Sequence, residues 1–200
     1  MLVDDRYETS GGARPLIYSM TDLADELLLF FGMEDTELRE ATANRYCDAL
    51  NDLTAGYRDD GSWWKTFDAE DADQMVIQHN IPLFSLCEHH ILPIVGFAHI
   101  GYIPKEVICG LSKLKRVVDL YAKRFQVQER LTKQIADFLE ERLQPRGVIV
   151  VVEAEHFCMT MRGVQTPGTL TTTSAVTGDF LTPGEGSREE FMALLQRRVR

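Results

Sequence analysis

Two short segments of the sequence combine cysteine with histidine. Cys87, His89 and His90 fall within one tetrapeptide, and His156 and Cys158 fall within another. Thiolate and imidazole are ligands that zinc prefers in proteins, and a cysteine and a histidine three residues apart can bind the same ion. Each segment alone is a weak signal. Two of them in a chain with 4 cysteines and 5 histidines indicate a metal site.

These five candidates exceed what one catalytic zinc ion requires. Zinc with three protein ligands keeps a fourth position for water, whereas four protein ligands close the coordination shell of a structural site. If Cys87, His90 and Cys158 bind the metal, His89 and His156 stay available for proton transfer, because imidazole titrates near neutral pH. The alternative is a closed structural site in which a fourth residue completes the shell.

A second group of residues could bind phosphate. Ser112 stands where a helix is expected to begin, and Lys113 and Arg116 share one face of that helix. The chain has a formal net charge of −10, so an anionic ligand requires positive charge that is concentrated locally. These residues, together with Arg162, could supply it. The alternative is an ordinary solvated helix face.

Three further residues have two interpretations each. Glu129 begins the next predicted helix, where a carboxylate could accept two hydrogen bonds from the ring N–H and exocyclic amine of guanine. Alternatively, Glu129 only interacts favourably with the helix dipole. Trp63 and Trp64 follow a predicted loop and could either anchor packing or form an interface.

The order of predicted elements indicates an α+β fold. Helices are expected at 21–30 and 36–53, strands at 75–84 and 95–103, helices at 112–125 and 127–143, strands at 148–152 and 169–176, and a helix at 188–198. Thr21 and Thr36 are the expected caps of the first two helices. Successive strands without an intervening helix pair antiparallel. Residues 1–18 are expected to form a loose arm.

Composition excludes several classes of function. No apolar run is long enough to span a membrane, and the first residues lack the pattern of a signal peptide, so we expect a cytoplasmic protein. The acidic charge argues against nucleic-acid and membrane partners. Neither a P-loop nor a dinucleotide-binding glycine motif is present, so a nucleotide would have to bind by other means.

Five segments taken together resemble the zinc-dependent type of GTP cyclohydrolase I. They are Cys87–His90, Gly101–Pro104, Gly110–Lys113, Gln126–Thr132 and His156–Val164, in the family's order and spacing. The resemblance implies the tunnelling fold, in which an antiparallel four-stranded sheet has two helices packed on one face and follows an N-terminal helical arm. It places the arm and helical segment at 1–66 and the catalytic domain at 67–200.

The resemblance also implies a role for each site residue. The zinc ligands would be Cys87, His90 and Cys158, and the catalytic residues would be His89, His156 and Gln128. Glu129 would anchor guanine, and Ser112, Lys113, Arg116 and Arg162 would hold ribose and triphosphate. The implied reaction hydrolyses GTP to 7,8-dihydroneopterin triphosphate and formate, the first step of pterin and folate or 7-deazaguanine biosynthesis. The implied assembly is a homodecamer of two pentamers with active sites at subunit interfaces.

One helix departs from the family's pattern. Where the family has two basic residues that reach a neighbour's triphosphate, the aligned positions hold Ala41 and Asn44. Arg39 and Arg45 are close in sequence but face other directions, because each helical residue turns by about 100°. Losing one charge-assisted contact costs on the order of 1.5–3 kcal/mol. The altered helix supports one alternative, a diverged relative that uses another purine or stops after ring opening. A separate alternative also stays open, a non-catalytic, zinc-stabilised module whose metal site would be closed by His89 or His156.

Overall fold

The computed structural model describes residues 19–182 and 186–196. The predicted arm at 1–18 and the last two residues of the predicted terminal helix lie outside the described residues. The chain forms two compact units, of which the first ends at Asn51 and the second begins at Asp52. In the described part of the chain, no helix is long and apolar enough to cross a membrane.

The first unit contains helix α1 (Met20–Phe30) and most of helix α2 (Thr36–Leu53). The predicted cap of α1 at Thr21 is wrong. Ser19 caps this helix, because its side chain accepts a hydrogen bond from the Asp22 backbone N–H at 3.1 Å.

The start of α2 also lies one residue from the prediction. The Asp35 carboxylate accepts a hydrogen bond from the Leu38 N–H at 2.9 Å, so Thr36 is the first helical residue rather than the cap. Asp and Thr are both favoured at this position, and the sequence pattern alone does not separate neighbours.

The second unit is built on a five-stranded sheet. In chain order its strands are β2 (Val76–Cys87), β3 (Pro93–Ile103), β5 (Phe125–Gln126), β6 (Gly147–His156) and β7 (Leu170–Val176), and their spatial order is β5-β2-β3-β6-β7. The four long strands pair antiparallel, whereas β5 pairs parallel with β2 and adds a fifth strand to the four predicted. Two short strands, β1 (Thr66–Asp68) and β4 (Val107–Cys109), pair separately.

Helices α3 (Leu111–Ala122) and α4 (Gln128–Leu143) cover one face of this sheet. Successive side chains of a strand point to opposite faces, so Val148 and Val152 of β6 are buried beneath these helices. Ile149 and Val151 pack on the opposite face against Phe191 of helix α6 (Ser187–Gln196). The predicted α+β class, with two helices on one face of the sheet, is confirmed.

The topology brings the candidate metal ligands to one edge of the sheet. Strands β2 and β6 lie on either side of β3 and both run antiparallel to it, so they run in the same direction and end at the same end of the sheet. Strand β2 ends at Cys87, and a tight turn holds His89 and His90 before β3. Strand β6 ends at His156, and the single helical turn α5 (Phe157–Thr160) carries Cys158.

Candidate active site

Three of the candidate ligands converge on one point. The Cys87 sulfur lies 3.7 Å from Nδ1 of His90 and 4.0 Å from the Cys158 sulfur. The three ligand atoms all lie within 4.8 Å of one another, and this is the metal-ligand group found among the described residues. Cys87 is buried, and Cys158 is partly buried.

These separations fit a tetrahedral zinc ion. Zinc–sulfur bonds of about 2.3 Å and zinc–nitrogen bonds of about 2.0–2.1 Å place two sulfurs about 3.8 Å apart and a sulfur and nitrogen about 3.5 Å apart. Burial, and then the neighbouring Cys87, raise the pKa of the Cys158 thiol, while Arg162 opposes this shift. Two thiolates so close together require a cation between them, so the donor set and its geometry fit zinc.

Gln128 holds His156 from the buried side of the cleft. Its side-chain oxygen lies 2.7 Å from Nε2 of His156. Its amide nitrogen donates to the backbone oxygens of Val152 at 3.1 Å and Thr171 at 2.9 Å, and to the Thr173 hydroxyl at 3.1 Å. Gln128 is only 1% exposed, so every polar atom of its amide is bonded within the protein.

This network assigns the tautomer of His156. Backbone oxygens can only accept hydrogen bonds, so the end of the Gln128 amide that faces Val152 and Thr171 must be the NH2 group. The other end, which faces His156, must be the amide oxygen. Nε2 of His156 must therefore carry a hydrogen, and Nδ1 is the ring atom able to accept a proton. Burial lowers the pKa of His156, against the opposing charge of Glu129, which favours the neutral ring at pH 7.

Two hydroxyl groups extend the network away from the cleft. Thr132 donates to the Gln128 backbone oxygen at 2.8 Å, and its oxygen lies 2.6 Å from the Thr173 hydroxyl. Since Thr132 has donated its only hydroxyl proton, Thr173 must be the donor between them. The oxygen of Thr173 is then free to accept from the Gln128 amide.

His89 also lies beside the metal ligands, with its Nδ1 3.9 Å from the Cys87 sulfur. Its side chain is 63% exposed, and its Nε2 lies 3.8 Å from the Glu88 carboxylate. Arg130 forms an ion pair with Glu88 and also bonds the backbone oxygen of Phe125 at 3.1 Å. The hydrogen bond from Arg130 lowers the pKa of the Glu88 carboxyl, which therefore remains ionised and ties the ligand turn to α4.

The cleft brings together the metal-binding and guanine-binding candidates but leaves the phosphate-binding candidates apart. Its lining consists of Cys87, His89, His90, Gln126, Val127, Gln128, Glu129, His156, Cys158, Met159 and Thr171. Within the part of the chain that the structure describes, this lining contains no lysine or arginine. Ser112, Lys113, Arg116 and Arg162 lie outside it, and only Arg162 is close enough to affect the pKa of Cys158.

The phosphate-binding candidates on α3 lie beside Trp63. Ser112 and Arg116 are exposed, and α3 begins at Leu111, one residue before the predicted start. The Lys113 ammonium donates to the Trp63 backbone oxygen at 2.5 Å. The Arg116 guanidinium lies 5.7 Å from the centre of the Trp63 ring.

Arg39 and Arg45, which lie near the altered positions Ala41 and Asn44 of α2, have different surroundings. Arg39 donates to the Asp25 carboxylate at 2.8 Å and its side chain is only 11% exposed. Arg45 donates to the Thr42 hydroxyl at 2.9 Å on the surface of α2. Arg39 is therefore committed to an ion pair within the first unit.

Sequence reasoning missed the residues that support the catalytic candidates. Thr132, Thr171 and Thr173 fix Gln128, but no spacing rule connects α4 with β7. The ion pair between Glu88 and Arg130 also joins residues far apart in the chain. Only the ion pair could have been suspected from the sequence. Glu88 lies beside the ligand candidates and Arg130 lies beside Glu129, and charged residues at such positions require partners.

Comparison with known proteins identifies the family. Residues 21–196 match the family model of GTP cyclohydrolase I. A protein of Mycobacterium marinum named GTP cyclohydrolase 1 is 54% identical over 179 residues, covering 86% of this chain and 87% of the relative. A protein of the same name from Gloeobacter violaceus is 45% identical over 204 residues, covering 98% of this chain and 92% of the relative.

A solved structure of the archaeosine synthase QueF-Like in the apo form is 19% identical, with a TM-score of 0.44 over 52% of this chain and 93% of that chain. Nothing about the present chain follows from so weak a likeness. The family model covers most of the chain, and the two relatives match it over nearly their whole lengths. The chain belongs to the GTP cyclohydrolase I family.

Proposed function

We propose that this chain hydrolyses GTP to 7,8-dihydroneopterin triphosphate and formate, with its catalytic machinery within residues 67–200. The observation that carries the proposal is the cleft itself. It combines a Cys–His–Cys metal-ligand group, a histidine of assigned tautomer and the acidic residue Glu129. This reaction begins pterin and folate biosynthesis.

Zinc would be held by Cys87, His90 and Cys158. Bound there, it would supply a Lewis acid that makes water nucleophilic at neutral pH. The metal-ligand group among the described residues includes neither His89 nor His156, and Nε2 of His156 is bonded to Gln128. This arrangement favours an open catalytic site over the closed site of a purely structural module.

His156 and His89 would carry protons beside the metal ligands. Gln128 fixes the hydrogen on Nε2 of His156, so Nδ1 would accept a proton during hydrolysis. His89 would carry the second proton, and its Nε2 lies 3.8 Å from the Glu88 carboxylate. The two imidazoles would provide a base and an acid in the same cleft.

Glu129 would orient the base of the substrate. Its carboxylate lines the cleft beside Gln128 and could accept both hydrogen bonds from the guanine edge. Adenine lacks that pair of donors, so Glu129 would favour GTP over ATP. Gln128 would serve mainly by positioning His156, since its amide is already fully bonded.

The triphosphate would be bound by a second copy of the chain. The described lining of the cleft contains a carboxylate but no lysine or arginine, and a triphosphate needs cationic partners. Ser112, Lys113 and Arg116 at the start of α3 would meet that need across a subunit interface. Arg162, which is close enough to Cys158 to affect its pKa, would contribute from the same chain as the cleft. We therefore propose a homo-oligomer, a decamer of two pentamers, with active sites completed between neighbouring chains.

The deciding experiment incubates the zinc-loaded protein with GTP and measures formate together with neopterin after oxidation. Equal amounts of both products are expected. Formate without neopterin would indicate that hydrolysis stops before ring closure, as in a diverged relative. Absence of both products from a protein with stoichiometric zinc would contradict the proposed reaction and favour the non-catalytic module.

A further inference from the structure

We propose that Trp63 is a positioning residue that holds Lys113 and Arg116 ready for the triphosphate. This inference rests on the proposed function, because it takes these two cations as the groups that bind phosphate. Trp63 belongs to neither the metal-ligand group nor the cleft lining, and the five segments that carry the family resemblance do not include it.

The segment that carries Trp63 packs against the end of α3 at Gly56, seven residues before the tryptophan. The Gly56 N–H donates to the Lys123 backbone oxygen at 3.0 Å. A β-carbon at Gly56 would lie 2.4 Å from the Leu120 backbone oxygen, so only glycine permits this close approach. The segment therefore lies directly against the helix that carries Lys113 and Arg116.

Hydrogen bonds from the following turn set the orientation of the Trp63 ring. Both carboxylate oxygens of Asp59 accept from its indole N–H, at 2.8 and 2.9 Å. Asp59 also accepts from the Gly61 N–H at 2.9 Å, where the backbone has a φ of +74°. The Asp59 carboxylate thus holds both the turn and the indole ring of Trp63 in place.

A ring contact with Phe138 also holds the indole. The Trp63 ring stacks on Phe138 of α4 with ring centres 6.4 Å apart and an angle of 30° between the planes. Trp64 makes an edge contact with the same Phe138 at 5.2 Å. The two tryptophans therefore share one packing partner, but only Trp63 faces the cations.

The positioned indole brings two positive side chains together. The Lys113 ammonium lies 5.6 Å from the ring centre and donates to the Trp63 backbone oxygen, and the Arg116 guanidinium lies 5.7 Å from the same ring centre. The negative face of an indole attracts cations within about 6 Å and reduces their mutual repulsion. Ordering two long side chains in advance lowers the entropy lost when an anion binds.

The test separates phosphate binding from base binding. For wild-type protein and Trp63→Ala, we would measure kcat and KM for GTP and the inhibition constants of inorganic triphosphate and guanosine. We expect KM and the triphosphate constant to rise about tenfold in Trp63→Ala, whereas kcat and the guanosine constant change by less than about twofold. A merely structural role would weaken triphosphate and guanosine alike.

Matched variants keep the test decisive if Trp63→Ala folds poorly. Trp63→Leu retains apolar packing but removes the aromatic face, and we expect the same weakening of triphosphate binding. Trp63→Phe retains a ring and should restore most of the affinity. Trp64→Leu removes the other tryptophan on Phe138 and should leave triphosphate binding unchanged.

Two outcomes would overturn the inference. One is wild-type affinity for inorganic triphosphate in both Trp63→Ala and Trp63→Leu. The other is an equal loss of guanosine and triphosphate affinity in these variants. Failure of the wild-type protein to release formate from GTP would instead contradict the proposed reaction, and the binding of inorganic triphosphate would still test Trp63.

Discussion

The metal cleft and the cationic start of α3 are built in contrasting ways. In the cleft, a nearly fully buried Gln128 amide bonds four partners and fixes one ring nitrogen of His156. At the start of α3, Ser112 and Arg116 are exposed, and a single indole orders the charges. The His156 side of the catalytic part is therefore buried and held by several hydrogen bonds, whereas the part that would bind phosphate lies on the surface.

The contrast follows from what each part would have to do. Proton transfer and attack by water require reacting atoms placed to a fraction of an ångström, which a desolvated hydrogen-bond network can provide. Binding a flexible triphosphate tolerates more movement, because cations act over longer distances than hydrogen bonds. A surface location also allows the cations to serve the cleft of another copy. Damage in the cleft should therefore lower kcat, and damage at α3 should raise KM.

The largest effect is expected from loss of a metal ligand. Cys158→Ala should lose stoichiometric zinc and lower formate release by about a thousandfold or more, because the several kcal/mol supplied by a Lewis acid disappear. Metal content and formate release check this prediction. Cys47→Ala, which alters a buried cysteine of the first unit, is the control and should keep both.

Chelation provides a second readout of the same site. If the site is catalytic, removing zinc should silence the protein while most of its far-ultraviolet circular dichroism remains. Full zinc retention in Cys158→Ala would contradict the assigned ligand set. Unfolding on chelation would support the structural module, because binding free energy then serves as folding free energy.

The next largest effect is expected from loss of the buried base. His156→Ala should lower kcat about a hundredfold or more, since positioned acid–base groups contribute on that scale. KM should change little, because the guanine and phosphate contacts remain. The variant should retain zinc, which elemental analysis would show. Loss of zinc would instead make His156 a ligand and would contradict the role assigned to its Nδ1 atom.

A mixing experiment tests whether the two parts meet across chains. His156→Ala has an intact start of α3, and the double variant Lys113→Ala/Arg116→Ala has an intact cleft. In randomly mixed oligomers at equal amounts, about a quarter of the sites should be wild type in both parts if neighbouring copies complete each other's sites.

Co-expression of the two chains, followed by assay at low GTP concentration, measures that recovery. Each variant expressed alone provides the baseline, and a mixture of separately assembled oligomers controls for additive activity. Activity of the co-expressed protein no greater than the baseline would contradict an interfacial site and would require each chain to bind its own triphosphate.

Sequence reasoning predicted those parts of the molecule that depend on local pattern or on ligand chemistry. The uninterrupted β-branched run at 148–152 predicted a buried strand. Successive strands without a helix between them predicted antiparallel pairing of the long strands. The grouping of Cys87, His90 and Cys158 followed from zinc chemistry and the family resemblance, and the topology brings the three together. The predicted helix caps lie one or two residues from the observed ones, because neighbouring polar residues compete for the cap position.

The features that could not be predicted from the sequence depend on contacts between distant segments. The pairing of β1 with β4 involves strands of three residues each, too short for a period to be recognised. Whether Trp63 anchored packing or formed an interface stayed open because its partners come from α3 and α4. The hydroxyl chain behind Gln128 joins α4 to β7, and hydroxyl residues carry no pattern that identifies their partners.

That hydroxyl chain provides the smallest predicted effect and the finest test of the contrast. Thr173→Val keeps the shape of the side chain but removes one of three acceptors from the Gln128 amide nitrogen. Because two backbone oxygens remain, His156 should keep its tautomer, and kcat should fall only about threefold to tenfold, the cost of roughly one hydrogen bond. Thr173→Ser, which restores the hydroxyl, should recover most of that loss. A fall as large as that of His156→Ala would mean that the position of Gln128 depends on this hydroxyl, and that the cleft is less over-determined than its buried bonds imply.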